Sequence, residues 1–275
     1  MKLVRIVLPV DHDGTTEACK KAAFGVARRF GVSVEVLHPC AAPWQRLSYS
    51  TELSPFYSGD LLELARKQVE REEGEARAWF DLVVQSQPGI RTEFVSLEGF
   101  VMQAVATRAR VSDMTLVPSI GAKEDAFWDS VREGALILSG RPMLVIPDGS
   151  AGEIGESVVI AWKDGVEAAR AVSAAAPFLD KAKAISLVAV QEGEAEDPTL
   201  AAMAGYLGLA GLKVESRTLP ACDDLGETIL LEAASKAGPL LVMGAYGHWR
   251  WREWAFGGVT EHVLRNTTIP VLMAH

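Results

Sequence analysis

The chain has 275 residues, 49% of them hydrophobic and 23% charged, so it holds ample material for a core and is neither disordered, collagen-like nor a stapled miniprotein. Its 36 acidic residues outweigh 27 basic ones, a net charge of −9 with acid in excess in both halves, which excludes the basic footprint of a nucleic-acid binder. Cys19, Cys40 and Cys222 lie far apart with no CxxC spacing, which argues against a zinc site or disulfide framework and suits a reducing cytoplasm.

Leu3 to Val10 is a β-rich apolar run that ends in Asp11-His12-Asp13-Gly14, a turn and helix start. It is too short for a signal-peptide core or a membrane span, and no later run is long enough to span one. A helix is expected from Thr15 to Phe30, stopped by Gly31, then a strand over Val32–Leu37. Ala41–Asp60, with Pro43 and Pro55, predicts a long loop, and Leu61–Val84 a charged amphipathic helix. A strand over Ile90–Leu97, a helix over Gly99–Arg110, a strand over Met114–Val117, a helix over Ser130–Leu138 and a strand over Met143–Ile146 complete the series. Asp148 to Gly152 is the natural linker.

Beyond it the order restarts, with a strand over Ser157–Trp162, a helix over Gly165–Phe178 and a strand over Ala184–Val190. Val7-Leu8-Pro9-Val10-Asp11 aligns with Val159-Ile160-Ala161-Trp162-Lys163, and Arg141-Pro142-Met143-Leu144-Val145 with Ile269-Pro270-Val271-Leu272-Met273. The first copy is longer by about 30 residues between its second and third strands. Alternating strands and helices require a parallel sheet wound on both faces, with ligands beyond the carboxyl ends of the strands at a switch point. Residues 1–149 and 155–275 are the expected domains.

The chemistry gathers in the second copy, where Leu240-Leu241-Val242-Met243 runs into Gly244-Ala245-Tyr246-Gly247, and Gly257-Gly258-Val259-Thr260 opens a helix that continues through Leu264. Glycine lets backbone N–H groups approach an anion, and a helix N-terminus adds its dipole, so such a loop can cradle a phosphate. The same glycines can also serve as turn chemistry alone.

Gly244-x2-Gly247-x9-Gly257 resembles the nucleotide-binding signature of the universal stress protein family, and the closing Val259–Arg265 and Ile269–Met273 are similar to that family's last helix and strand. The resemblance covers the chain as two tandem copies. It implies two Rossmann-like α/β domains of the adenine nucleotide alpha hydrolase-like kind, each a five-stranded parallel sheet with helices on both faces, packed as an intrachain pseudo-dimer with a homodimer as a further option. It implies ATP or a related adenine nucleotide as ligand, with adenine near the main chain of Ala161 and Val190 and phosphates on Gly244, Gly247, Gly257, Gly258, Val259 and Thr260, beside Tyr246. Two departures stand out: Gly258 replaces the family's Ser or Thr, and Lys163 replaces the Asp at the end of the first strand. Lys163 can meet a phosphate directly as a point charge, so Mg²⁺ is not strongly implied.

The first copy keeps Asp11 and Ser130 but has Pro118-Ser119-Ile120-Gly121 and Asp129 where the glycines belong, so family-type binding is not expected there. The aromatic and basic group Tyr246, His248, Trp249, Arg250, Trp251, Arg252 and Trp254 suggests base stacking or, better supported, an interface. His12 and His38 fall at one strand edge, and capping or solvent is their expected fate; no metal spacing is present. No GxSxG, Walker, HExxH or paired-carboxylate motif appears, so no catalytic residues are assigned. The expectation is a cytoplasmic stress protein regulated by nucleotide, with no membrane or nucleic-acid partner. The alternatives are a nucleotide-free scaffold acting through its surfaces and, more weakly, a slow ATPase without an evident general base.

Overall fold

A computed structural model describes residues 2–47, 59–150, 153–191, 198–220, 224–245 and 258–275. The first half runs β1 (Arg5–Pro9), α1 (Glu17–Phe30), β2 (Ser33–Cys40), α2 (Pro43–Leu47), α3 (Gly59–Gln85), β3 (Thr92–Glu98), α4 (Val101–Arg110), β4 (Met114–Pro118), α5 (Ala126–Glu133) with a π-helical turn over Gly134–Leu138, and β5 (Met143–Ile146). The second runs β6 (Ser157–Ala161), α6 (Val166–Leu179), β7 (Ala184–Val190), α7 (Pro198–Leu209), β8 (Val214–Leu219), α8 (Leu225–Ala234), β9 (Pro239–Gly244), α9 (Gly258–Asn266) and β10 (Val271–Ala274). The excess length of the first half is α2 and the 27-residue α3, against the 12 residues of α7.

Local signals explain several boundaries. Thr16 caps α1 by accepting from the Cys19 N–H, and Gly31 ends it at φ 67°, a left-handed conformation that costs glycine little. Asp125 caps α5 from the Trp128 N–H, so that helix starts four residues before the expected Ser130. Pro43 opens α2 inside the stretch expected to be loop, a position where its missing N–H costs nothing.

All ten strands form one sheet in the order β3-β2-β1-β4-β5-β10-β9-β6-β7-β8, so the two expected five-stranded sheets are continuous. Pairing within each half is parallel, and the halves join antiparallel through β5 and β10, with Met143 opposite Met273, Leu144 opposite Leu272 and Val145 opposite Val271. Side-chain alternation splits the core in two. Ile6, Leu8, Leu144 and Leu272 face the layer of α1, α3, α6 and α7, while Val7, Val145, Val271 and Met273 face that of α4, α5, α8 and α9.

Contacts across the junction repeat at matching positions. Arg29 donates to the Lys181 carbonyl at 3.3 Å, Lys181 donates to the Arg29 carbonyl at 2.6 Å, and Phe30 meets Phe178 edge-on at 4.9 Å. On the other face the Ile120 N–H donates to the Leu264 carbonyl at 3.0 Å and Arg265 pairs with Glu124 at 2.7 Å. In the first half Glu35, 1% exposed, is held by both Nε and Nη2 of Arg108 at 2.7 and 2.5 Å and by Arg5 at 3.2 Å. That bidentate clamp fixes β2 to α4 and lifts the Arg108 pKa above its ordinary value.

Candidate functional site

In each half the strand order reverses between the first and fourth strands, and the crevice of such a sheet opens beyond their carboxyl ends. In the second half those strands are β6 and β9, where Ala161 lies opposite Met243. Lys163 follows β6 and is exposed; Gly244 ends β9. Val190 closes the neighbouring β7. Ala161, Val190 and Val259 are all partly buried against the apolar cluster that lines this face of the whole sheet.

The glycines of this loop have different physical reasons. A Cβ at Gly244 would sit 2.6 Å from the Ala168 nitrogen and 2.8 Å from the Glu167 carbonyl carbon, so this glycine lets β9 approach the first turn of α6. Gly244 is also paired with Ala274 in the sheet, the Ala245 N–H donates to the Ala274 carbonyl, and the Ala245 carbonyl lies 3.1 Å from His275 Nδ1. The Ala245 amide at this end of the loop is therefore committed to the fold. Gly258 is different: among the described residues no atom lies within 4 Å of a Cβ built on it, and it is the first described residue of α9. Thr260 is buried. Tyr246, Gly247, Gly257 and the ring-bearing stretch from His248 to Trp254 lie outside the described residues.

The matching crevice of the first half is filled by its own side chains. Asp11 Oδ2 accepts from Trp128 Nε1 and Lys123 Nζ, both at 3.3 Å, and Trp128 is fully buried. Buried Arg132 donates to the Pro118 and Lys123 carbonyls and to Asp129 Oδ1, at 3.2, 3.0 and 2.7 Å. Ser130 turns its hydroxyl back to the Ala126 carbonyl. Asp129 was expected in a loop facing the crevice; it lies instead within α5, because Asp125 starts that helix early. Gly121 serves the junction, since a Cβ there would stand 2.8 Å from the Arg265 carbonyl oxygen. Sequence reading missed Lys123, Trp128 and Arg132; a tryptophan and an arginine four residues apart on a short helix were the available signal.

His38 is 3% exposed, and its Nδ1 faces the Val10 carbonyl at 3.3 Å while Nε2 is buried without a partner among the described residues. Burial lowers its pKa below the ordinary value, against the partial opposing pull of the Val10 carbonyl and of Glu72, Glu73 and Asp11. It is a buried histidine whose surroundings favour the neutral ring. Cys19 is buried and its thiol is pushed up to about 12 by burial, and burial also raises Cys40, so neither is an activated nucleophile. Among the described residues, Asp11, His12 and Asp13 alone bring three metal-ligating atoms within 4.8 Å of one another. Their atoms already serve the turn, for Asp11 Oδ1 accepts from the Asp13 N–H and His12 Nε2 faces Asp13 Oδ2 at 3.4 Å.

Residues 168–275 match the model of the universal stress protein family. Over that stretch the second half is similar to the universal stress protein family. Among solved structures, a universal stress protein from Archaeoglobus fulgidus DSM 4304 superposes over 98% of this chain and 95% of its own, with a TM-score of 0.72 at 19% identity. A functionally unknown protein from Pseudomonas aeruginosa PAO1 covers 98% of this chain and 92% of its own, with a TM-score of 0.55 at 15% identity. Among curated proteins no sequence matches. These likenesses extend the fold across both halves, so the first half repeats the universal stress protein fold around a crevice closed by Trp128 and Lys123. No helix among the described residues is long and apolar enough to cross a membrane.

Proposed function

We propose that this chain is a universal stress protein that binds ATP or a related adenine nucleotide in its second half only, and that nucleotide occupancy regulates a cytoplasmic stress-response role. The observation that carries the reading is the placement of the α9 amino end, at Gly258, Val259 and Thr260, beside a switch point that also presents Lys163 and the apolar rim of Ala161 and Val190. An anion at those amides gains the helix dipole and a lysine countercharge, while an adenine ring can lie on the rim with its edge toward main-chain groups. Gly247 and Gly257 would complete the cradle. Gly244 supports it from behind as a packing glycine. Lys163 stands where an acidic residue would hold Mg²⁺, so a chelator should lower affinity only modestly.

In this reading residues 1–149 and 155–275 are the two universal stress protein domains, and the β5–β10 junction with its reciprocal Arg29 and Lys181 contacts is an internal counterpart of a two-fold dimer. No group among the described residues at this crevice is assigned as a general base, and binding, not turnover, is the proposed activity. The competing reading, a scaffold without nucleotide, is favoured by the fact that Gly244 is explained by α6 packing alone. Calorimetric titration of ATP separates them. Lys163→Glu should weaken ATP binding by about tenfold or more, and unchanged affinity would remove the lysine from the site. No heat of binding in unaltered protein first stripped of any co-purified nucleotide would count against the nucleotide reading.

A further inference from the structure

β8 is the outer strand of the second half, with β7 its one neighbour among the described residues. The Leu219 carbonyl accepts from the Gln191 N–H at 2.9 Å, so Leu219 turns its backbone groups toward β7. By the two-residue alternation of a strand, Glu215 and Arg217 do the same, and Val214, Ser216 and Thr218 turn theirs outward. Antiparallel pairing of this edge with itself, centred on Ser216, makes Ser216 opposite Ser216 and Val214 opposite Thr218 the hydrogen-bonded pairs. Glu215 then falls opposite Arg217 in both directions, at the closer, non-hydrogen-bonded positions.

The helices flanking this edge carry unpartnered apolar surface. The stretch from Pro198 to Leu212 contains no charged residue, and on α7 Tyr206 is 61% and Leu209 91% exposed, one turn apart on the same side as Ala202 and Gly205. Leu231, on α8 across the sheet, is 64% exposed. The chain already contains one antiparallel strand junction, β5 with β10, and there α1 and α6 are brought together across it, Phe30 on Phe178. A second such junction at β8 would bring two copies of α7 together on one face and two copies of α8 on the other. Charges on an edge strand ordinarily deter pairing, but here the symmetric register converts them into attraction.

We propose that β8 and the exposed faces of α7 and α8 form an isologous interface with a second copy of this chain, joining two ten-stranded sheets edge to edge. Arg217 stays anchored by Glu232 of its own α8, with Lys236 as that carboxylate's second cation, and faces Glu215 of the second copy. The uncharged α7 face suits self-association of a chain with net charge −9, because it is one surface where two copies meet without repulsion.

The test is sedimentation velocity with light scattering on the full chain across a wide concentration range. The unaltered protein should sediment at twice the 29.6 kDa chain mass. Ser216→Pro removes an outward-facing N–H, which an edge strand tolerates, and Leu209→Lys alters a side chain already in solvent. Each should weaken the dimer by about 100-fold with the thermal midpoint of the chain unchanged. Phe100→Lys, on an exposed aromatic beside the opposite edge, should leave it intact. A monomer at every concentration overturns the proposal and leaves this face to a different protein. A dimer that survives both Ser216→Pro and Leu209→Lys, or that is lost in Phe100→Lys, also overturns it.

Discussion

At the scale of single residues, two glycines of one signature are separable by experiment. Gly244→Ala places a methyl group against the backbone of Ala168 and Glu167 and should cost about 1–3 kcal/mol in chemical unfolding. Gly258→Ala meets no atom of the described residues within 4 Å and should change stability by less than about 1 kcal/mol. Equal costs at the two positions would contradict their assignment to packing and to ligand access. The sequence marks both as glycine, and their difference was not legible there because it depends on α6, a helix 80 or so residues earlier in the chain. His38 adds a pH dependence. Its folded-state pKa lies below the ordinary 6.5, so the unfolded chain takes up the proton first. Stability from this group is complete above that value and is lost as pH falls through it toward the folded pKa. Thermal melts between about pH 7.5 and 5.5 should show a steeper loss in the unaltered protein than in His38→Leu, and parallel curves would rule the effect out.

At the scale of elements, repetition of strand and helix was legible because apolar periodicity and turn residues agree, as in Leu3–Val10 and Leu240–Met243. The start of α5 was not, since the expectation at Ser130 overlooked the cap at Asp125, whose side chain accepts from the Trp128 N–H at 2.9 Å. That cap has a consequence for function: it carries Trp128 and Arg132 into the first crevice. Asp125→Ala should cost about 1 kcal/mol in unfolding free energy, and a cost near zero would show that tertiary packing alone positions the helix. The β2–α4 clamp makes a larger claim. Arg108→Ala leaves the Glu35 carboxylate buried with Arg5 alone, and a loss of about 3 kcal/mol is expected, whereas a neutral outcome would mean that Glu35 reaches water.

At the scale of the whole molecule, the apolar ends of the two halves, Met143–Ile146 and Val271–Ala274, are each other's partners, and the aligned positions Arg29 and Lys181 brace the junction. The sequence shows an apolar strand ending each half, and a strand at a sheet edge needs a cover, which this pairing supplies. The asymmetry of the two crevices was only half legible: Pro118 and Asp129 marked the first as altered, but the side chains that close it meet only in three dimensions. The central claim is that one crevice of the two takes nucleotide. Denaturing the purified protein and identifying the released small molecules by mass, with quantitation against protein, tests it most directly. The account expects one adenine nucleotide per chain, lost in Gly247→Asp and retained in Asp129→Ala. Two nucleotides per chain, none, or loss in Asp129→Ala with retention in Gly247→Asp would contradict it.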